Sequence, residues 1–310
     1  MARRVLPLDV RGEDRYDLFV GAIGFESRSV HVAGRIAADR KHFFPYAAQR
    51  SDVFARNMGI ASSFRGSVIE MAETLRGFIT QVELLFSSVG TNARVAIDIS
   101  SFDRRRLAIL LQAAHKRGES VGNLNLNLLY APAEYSAPPA HLKGEPLEAG
   151  PVNDSFRGHL RRTSLPLAAV FGLGYEPQRA IGAFELLEPS RAWAFRPESD
   201  SADFSASLDE ANRLLLSAFS PREVLTYPVL NPGETFYRLE SLVSGLSRSH
   251  RVVLVPMGPK VFAVCCLLLG LDDAVERPAV WRIGAVGGSS AVDVKPRGDI
   301  VGLTVEFERQ

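Results

Sequence analysis

Leu18-Phe19-Val20-Gly21-Ala22-Ile23-Gly24-Phe25-Glu26-Ser27-Arg28 reads as an apolar strand running into a glycine, an aromatic residue, a glutamate and a basic residue. One half-chain later, Leu167 to Leu173 runs into Gly174-Tyr175-Glu176-Pro177-Gln178-Arg179. A second pair follows the first. Val95-Ala96-Ile97-Asp98-Ile99-Ser100-Ser101-Phe102-Asp103-Arg104 has its counterpart in Val252-Val253-Leu254-Val255-Pro256-Met257-Gly258-Pro259-Lys260. Recurrence of this kind describes architecture before any single residue is read. It predicts two similar α/β units in one chain.

Working outward, strands are predicted in the first half at Leu18 to Ile23, His42 to Tyr46, Val68 to Met71, Arg94 to Ile99 and Leu124 to Tyr130. Helices are expected at Ser29 to Asp39, Asp52 to Ser63 (with Asp52 as cap), Glu73 to Ser88 and Asp103 to Lys116. The last carries Leu107, Leu110, Leu111 and Ala114 on one face, the spacing of a packed stripe. The second half repeats the order. Its strands are Leu167 to Leu173, Ala192 to Arg196, Glu223 to Tyr227, Arg251 to Val255 and Ala279 to Ile283. Its helices are Gln178 to Leu187, Ser207 to Phe219, Gly233 to Ser247 and Val261 to Leu271. Strands alternating with helices imply parallel pairing through right-handed crossovers, and apolar strands imply a sheet covered on both faces. The fold class is α/β: two tandem Rossmann-like open parallel sheets related by internal duplication.

The segment Ala131 to Ser164, rich in proline, glycine and charge, reads as the connector. Residues 1–150 are expected to form the first unit with this connector, and 151–310 the second. A β segment from Ile300 to Phe307 then belongs with the second unit, as an edge strand or hairpin. With 310 residues, 46% of them hydrophobic, there is material for two cores. A net charge of +1 supplies no global field to attract nucleic acid. The longest apolar run, Val261 to Leu271, is about half of the ~20 residues a membrane span needs, and no secretory signal is seen, so a cytoplasmic protein is expected. Cys265 and Cys266 are adjacent in that run and read as reduced core residues.

Ligands of open parallel sheets bind beyond the carboxyl ends of the strands. In the first unit the residues expected there are Gly24, Glu26, Arg28, Asp98, Ser100, Ser101, Asp103 and Arg104; in the second, Gly174, Glu176, Gly258 and Lys260. A strand ending in Gly258 and opening a helix points backbone amides at a phosphate, with Lys260 adding charge. The same residues also suit an ordinary strand-to-helix turn. Ser100 and Ser101 are expected to cap the helix near Asp103, whose first turn carries Arg104, Arg105 and Arg106. Either a bound phosphate or an internal ion-pair cluster offsets those cations. Asp98 suits a ribose hydroxyl or a general base, while Glu26 and Glu176 read as paired carboxylates, helix caps or partners of Arg28 and Arg179. Neither a Walker loop nor a zinc-binding histidine spacing occurs. The sequence identifies no cofactor and no metal site.

Gly258-Pro259-Lys260 and Gly174-Tyr175-Glu176 together resemble the CRISPR-associated Rossmann-fold (CARF) sensor domains, which carry a ligand loop after the first strand and a glycine-lysine turn before a later helix. Ser101-Phe102-Asp103 departs from that pattern in the first unit. The resemblance implies a nucleotide- or phosphometabolite-sensing protein of a prokaryotic antiviral defence system. It further implies a phosphate-bearing ligand in a cleft between two pseudo-symmetric units and a separate protein partner to carry the response. An enzyme acting on nucleotides through Asp98, Asp103, Glu26 and Glu176 stays open as an alternative, as does a non-catalytic adaptor.

Overall fold

A computed structural model of the protein describes residues 2–10, 14–46, 51–137, 147–158, 164–175, 179–271, 277–285 and 293–308. In chain order its strands are β1 (Ala2–Leu8), β2 (Arg15–Ile23), β3 (Ala37–Pro45), β4 (Ser67–Ile69), β5 (Arg94–Asp98), β6 (Leu124–Tyr130), β7 (Leu147–Pro151), β8 (Leu167–Gly172), β9 (Arg191–Glu198), β10 (Val224–Pro228), β11 (Arg251–Pro256), β12 (Ala279–Ala285) and β13 (Val301–Glu308). The helices are α1 (Asp52–Ser63), α2 (Leu75–Ser87), α3 (Arg104–Val121), α4 (Arg179–Leu187), α5 (Ala202–Ser217), α6 (Pro232–Leu246) and α7 (Lys260–Gly270).

The strands form two open, mostly parallel sheets, ordered β1-β13-β6-β5-β2-β3-β4 and β10-β9-β8-β11-β12-β7. Counted from the first apolar strand of each half, both contain the parallel order 3-2-1-4-5 of doubly wound folds. Each sheet also holds an antiparallel strand beside its fifth: β13 next to β6 and β7 next to β12. The two units are thus similar down to this mixed edge. Their cores are separate in composition, one built on Phe19, Ile23, Phe43 and Ala96, the other on Phe171, Ala194, Leu208 and Val255.

The division of the chain differs from the expected 1–150 and 151–310. One unit comprises Met1–Glu134 with Ala291–Gln310, the other Tyr135–Ser290. Strand β13 is not an edge of the second unit. It lies inside the first sheet, with β1 on one side and β6 on the other. Leu303, Val305 and Phe307 are buried there, so the last strand covers apolar area that β6 would otherwise expose. Strand β7, read as part of a loop-like connector, pairs with β12, the register running from Trp281 opposite Pro151 to Ala285 opposite Leu147. Its glycine and proline suit an edge strand.

The helix expected over Ser29 to Asp39 is absent. Residues Ser27–Val30 make one 3-10 turn, further turns follow, and β3 already begins at Ala37. The buried ammonium of Lys41 donates to the carbonyls of Ala33 and Ile36, satisfying groups that a longer helix would have bonded within itself. Helix α1 is capped by Ser51, which accepts from the Phe54 amide at 3.1 Å; Asp52 is its first residue rather than its cap. Helix α7 is buried along its length from Val261, as an all-apolar helix must be, and includes both cysteines. Among the described residues no helix is long and apolar enough to cross a membrane.

Candidate functional site

In each sheet the strand order reverses beside the first strand, between β2 and β5 and between β8 and β11. Crossover helices leave toward opposite faces at that point, which opens a crevice at the carboxyl ends of the strands. Val20 stands opposite Ile97 and Gly172 opposite Pro256. Counting on in each register puts Ser101 level with Gly24, and Gly258 level with Gly174. The two repeated signatures therefore meet in the same way in both units.

In the first unit, side chains fill this place. Arg28 is buried, and its Nε donates to Oε2 of Glu26 at 2.7 Å. The Ser101 hydroxyl reaches the same oxygen at 3.3 Å. Burial works against the charge of Arg28, but Glu26 and then Tyr130 outweigh it and hold the guanidinium above its ordinary pKa. Of the roles open to Glu26, pairing with Arg28 is the one realised; it makes no side-chain cap. Asp98 is buried with Ser100, its Oδ1 accepting the Ser100 amide at 2.9 Å. The Ser100 hydroxyl accepts the Ala131 amide at 2.8 Å, tying the ends of β5 and β6 together.

Neither Ser100 nor Ser101 caps α3. Asp103 is the cap, accepting from the Arg106 amide at 2.9 Å and from the Arg106 guanidinium at 2.7 Å. The Tyr46 hydroxyl accepts from the Asp103 amide at 2.7 Å and lies 3.2 Å from Oδ2 of Asp103. Burial, with the Asp103 carboxylate beside it, pushes the Tyr46 phenol well above its ordinary value, so it stays protonated. Arg106 lies over the Tyr46 ring, 4.4 Å from its centroid. The charges at this helix start are thus matched in part within the chain. Arg104 is half-buried in the same turn.

The second unit builds its crevice from backbone. The amides of Met257 and Gly258 both donate to the Gly172 carbonyl, at 2.9 and 3.1 Å. A Cβ on Gly258 would overlap the Leu173 carbonyl oxygen, a backbone atom that cannot rotate away. Pro259 occupies the cap position of α7 and makes no side-chain cap bond, and Lys260 opens the helix. Gly258→Ala is expected to destabilise the protein by about 3 kcal/mol, since overpacking against backbone is relieved only by moving a strand end. Urea denaturation of the two proteins checks this. An unchanged midpoint would show that the two loops can separate at little cost.

Gly174 is buried at the end of the first strand of this unit. Glu176 lies outside the described residues. Tyr175 packs edge-on against Phe204, with ring centroids 5.8 Å apart.

One device recurs in both units outside the repeated signatures. Asn57 on α1 is buried and donates through Nδ2 to the carbonyls of Gly24 and Glu26 and to the Ser29 hydroxyl, each at 3.0 Å. Asn212 on α5 is also buried and donates to the Gly174 carbonyl at 2.7 Å. Each is on the helix after the second parallel strand, and each pins the glycine that ends the first. The signal was present in both helices: a polar residue on an apolar stripe, with Phe54, Met58 and Ala61 beside Asn57, and Leu208 and Leu215 beside Asn212. Tyr46, read from sequence only as a strand end, also joins the first-unit cluster through Asp103.

The structure thus brings Glu26, Arg28 and Ser101 into direct contact, and places Asp98, Ser100 and Asp103 at the same strand ends. Gly174 and Gly258 flank the second crevice, with Lys260 two residues further on. A scan against models of known protein families gives no match, and a search of curated proteins gives none either.

Proposed function

We propose that the chain is a binding protein for a small phosphate-bearing ligand, a nucleotide or a phosphorylated metabolite, held at the carboxyl edge of the second sheet. The observation that carries this reading is the crevice at the β8–β11 reversal. There Gly258 packs directly against the Leu173 carbonyl, a close backbone approach that only glycine allows, at the start of a helix that no side chain caps. Helix amides at such a point suit an anion, and a lysine at the first helical position adds a point charge. The corresponding place in the first unit is taken up by the Glu26–Arg28 and Asp103–Arg106 pairs, which favours unequal roles for the two units. In the same reading the protein acts in the cytoplasm as a sensor, and a separate protein carries the response, as the resemblance to CARF domains implies.

Calorimetry with inorganic phosphate, ribose 5-phosphate and adenosine phosphates tests this. Lys260→Ala is expected to weaken binding about tenfold, or 1.4 kcal/mol, the scale of one charge-assisted hydrogen bond. Equal affinity in the variant refutes the phosphate assignment for Lys260, and silence across the whole panel refutes the binding reading.

A further inference from the structure

Two donors from opposite sides of the first-unit crevice converge on one oxygen. Arg28, from the loop after β2, and Ser101, from the loop after β5, both reach Oε2 of Glu26. The guanidinium is nearly closed off from solvent, at 9% exposure, and its NH1 donates to the Ala131 carbonyl at 3.4 Å. A guanidinium and a hydroxyl meeting at a strand-order reversal is the donor set that recognises a phosphate edge, and a carboxylate offers the same acceptors.

We propose that the first-unit crevice is a second oxyanion site, which the chain keeps filled with its own Glu26 carboxylate. The neighbouring residue follows the same logic. The amide and hydroxyl of Ser27 both donate to Asp293 at 2.7 Å, and Arg56 donates to that hydroxyl at 2.8 Å. In the loop after β2, the Arg28 Nε and the amide and hydroxyl of Ser27 are thus each met by a carboxylate of the chain itself. In the second unit the position level with Ser101 is Gly258, which has no hydroxyl. The class of ligand that Glu26 excludes is a tetrahedral oxyanion, free or as the phosphate of a larger molecule. Wild-type protein then has one accessible anion site per chain, and the Ser101-Phe102-Asp103 departure marks the closed copy.

The test is titration calorimetry of the full chain with inorganic phosphate. Glu26→Gln is expected to raise the stoichiometry by one phosphate per chain over wild type. The double variant Glu26→Gln/Arg28→Gln is expected to lose that added equivalent. An unchanged stoichiometry in Glu26→Gln overturns the proposal, as does an added equivalent that survives in the double variant. Removing the carboxylate strands a buried charge, so folding is followed by thermal melting as well. Excess phosphate is expected to raise the melting temperature of Glu26→Gln more than that of the double variant. Should Glu26→Gln stay unfolded in phosphate while the double variant folds, phosphate does not replace the carboxylate and the proposal fails. Wild-type protein that binds no phosphate would remove the reading of the second unit and leave this one standing.

Discussion

Chains ended at Ile300 are expected to lose the first unit. In hydrogen exchange followed by mass spectrometry, amides of β2, β5 and β6 should exchange freely in the truncated protein, while β8, β9 and β11 keep their protection. Strand β13 bonds to β1 from Ala2 opposite Glu308 to Leu8 opposite Gly302, and to β6 from Val301 opposite Tyr130 to Phe307 opposite Leu124. Its removal detaches β1 and bares the apolar edge of β6. Leu303, Val305 and Phe307 are each at most 2% exposed. At about 1.5–3 kcal/mol for each buried side chain, their loss is comparable to the whole stability of an ordinary domain, about 5–15 kcal/mol. Phe307 also sits against Gly118 on α3, so the strand anchors a helix as well as an edge. Protected β6 amides in the truncated chain would show that β13 is an addition to a unit complete without it.

That strand shows where sequence reading succeeds and where it stops. Val301 to Glu308 is legible as β from its own residues, and so are all ten strands of the two parallel cores, because an apolar run between glycines and prolines is a local signal. The partner of an antiparallel strand is not local. β13 closes on β6 across more than half the chain, and nothing in its own pattern distinguishes the first sheet from the second. β1 carries Arg3, Arg4 and Pro7, an edge-strand composition that resembles a solvated terminus. The expected helix at Ser29 failed for a related reason. Its apolar spacing is real, since Val30, Val32, Ala33 and Ile36 are buried, but a lysine from β3 takes the carbonyls that would have continued it.

The candidate site was legible in position, and its pairings only as alternatives among others. Glycines and charges after a first and a fourth parallel strand point to the switch point, and Gly24, Glu26, Ser101, Gly174 and Gly258 stand there. That Arg28 would turn inward to Glu26, or that Asp103 would spend its carboxylate on Arg106, depends on side-chain geometry that spacing does not encode. Buried polar residues on helices carry the better clue. A buried amide that meets no partner is costly, so an asparagine on an apolar stripe predicts a backbone group opposite it.

This makes the two asparagines the sharpest comparison between the units. Asn57→Leu is expected to cost about 4 kcal/mol, because the two amide hydrogens shared among three acceptors vanish and the carbonyls of Gly24 and Glu26 are left against an apolar side chain. Asn212→Leu is expected to cost about 2 kcal/mol. It gives up the Gly174 carbonyl, while its other acceptor, the Leu208 carbonyl, lies four residues back within the same helix. Phosphate binding should follow the opposite ranking. Releasing Gly174 loosens the loop beside Gly258 and Lys260, so Asn212→Leu is expected to weaken binding about tenfold through lost preorganisation. Asn57→Leu, measured where it is still folded, should bind phosphate as wild type does. Urea denaturation gives the first ranking and calorimetry the second. Asparagines that served folding alone would move stability and leave both affinities untouched. An Asn57→Leu protein that lost phosphate binding would instead place the working crevice in the first unit, where Glu26 would have to give way to the ligand.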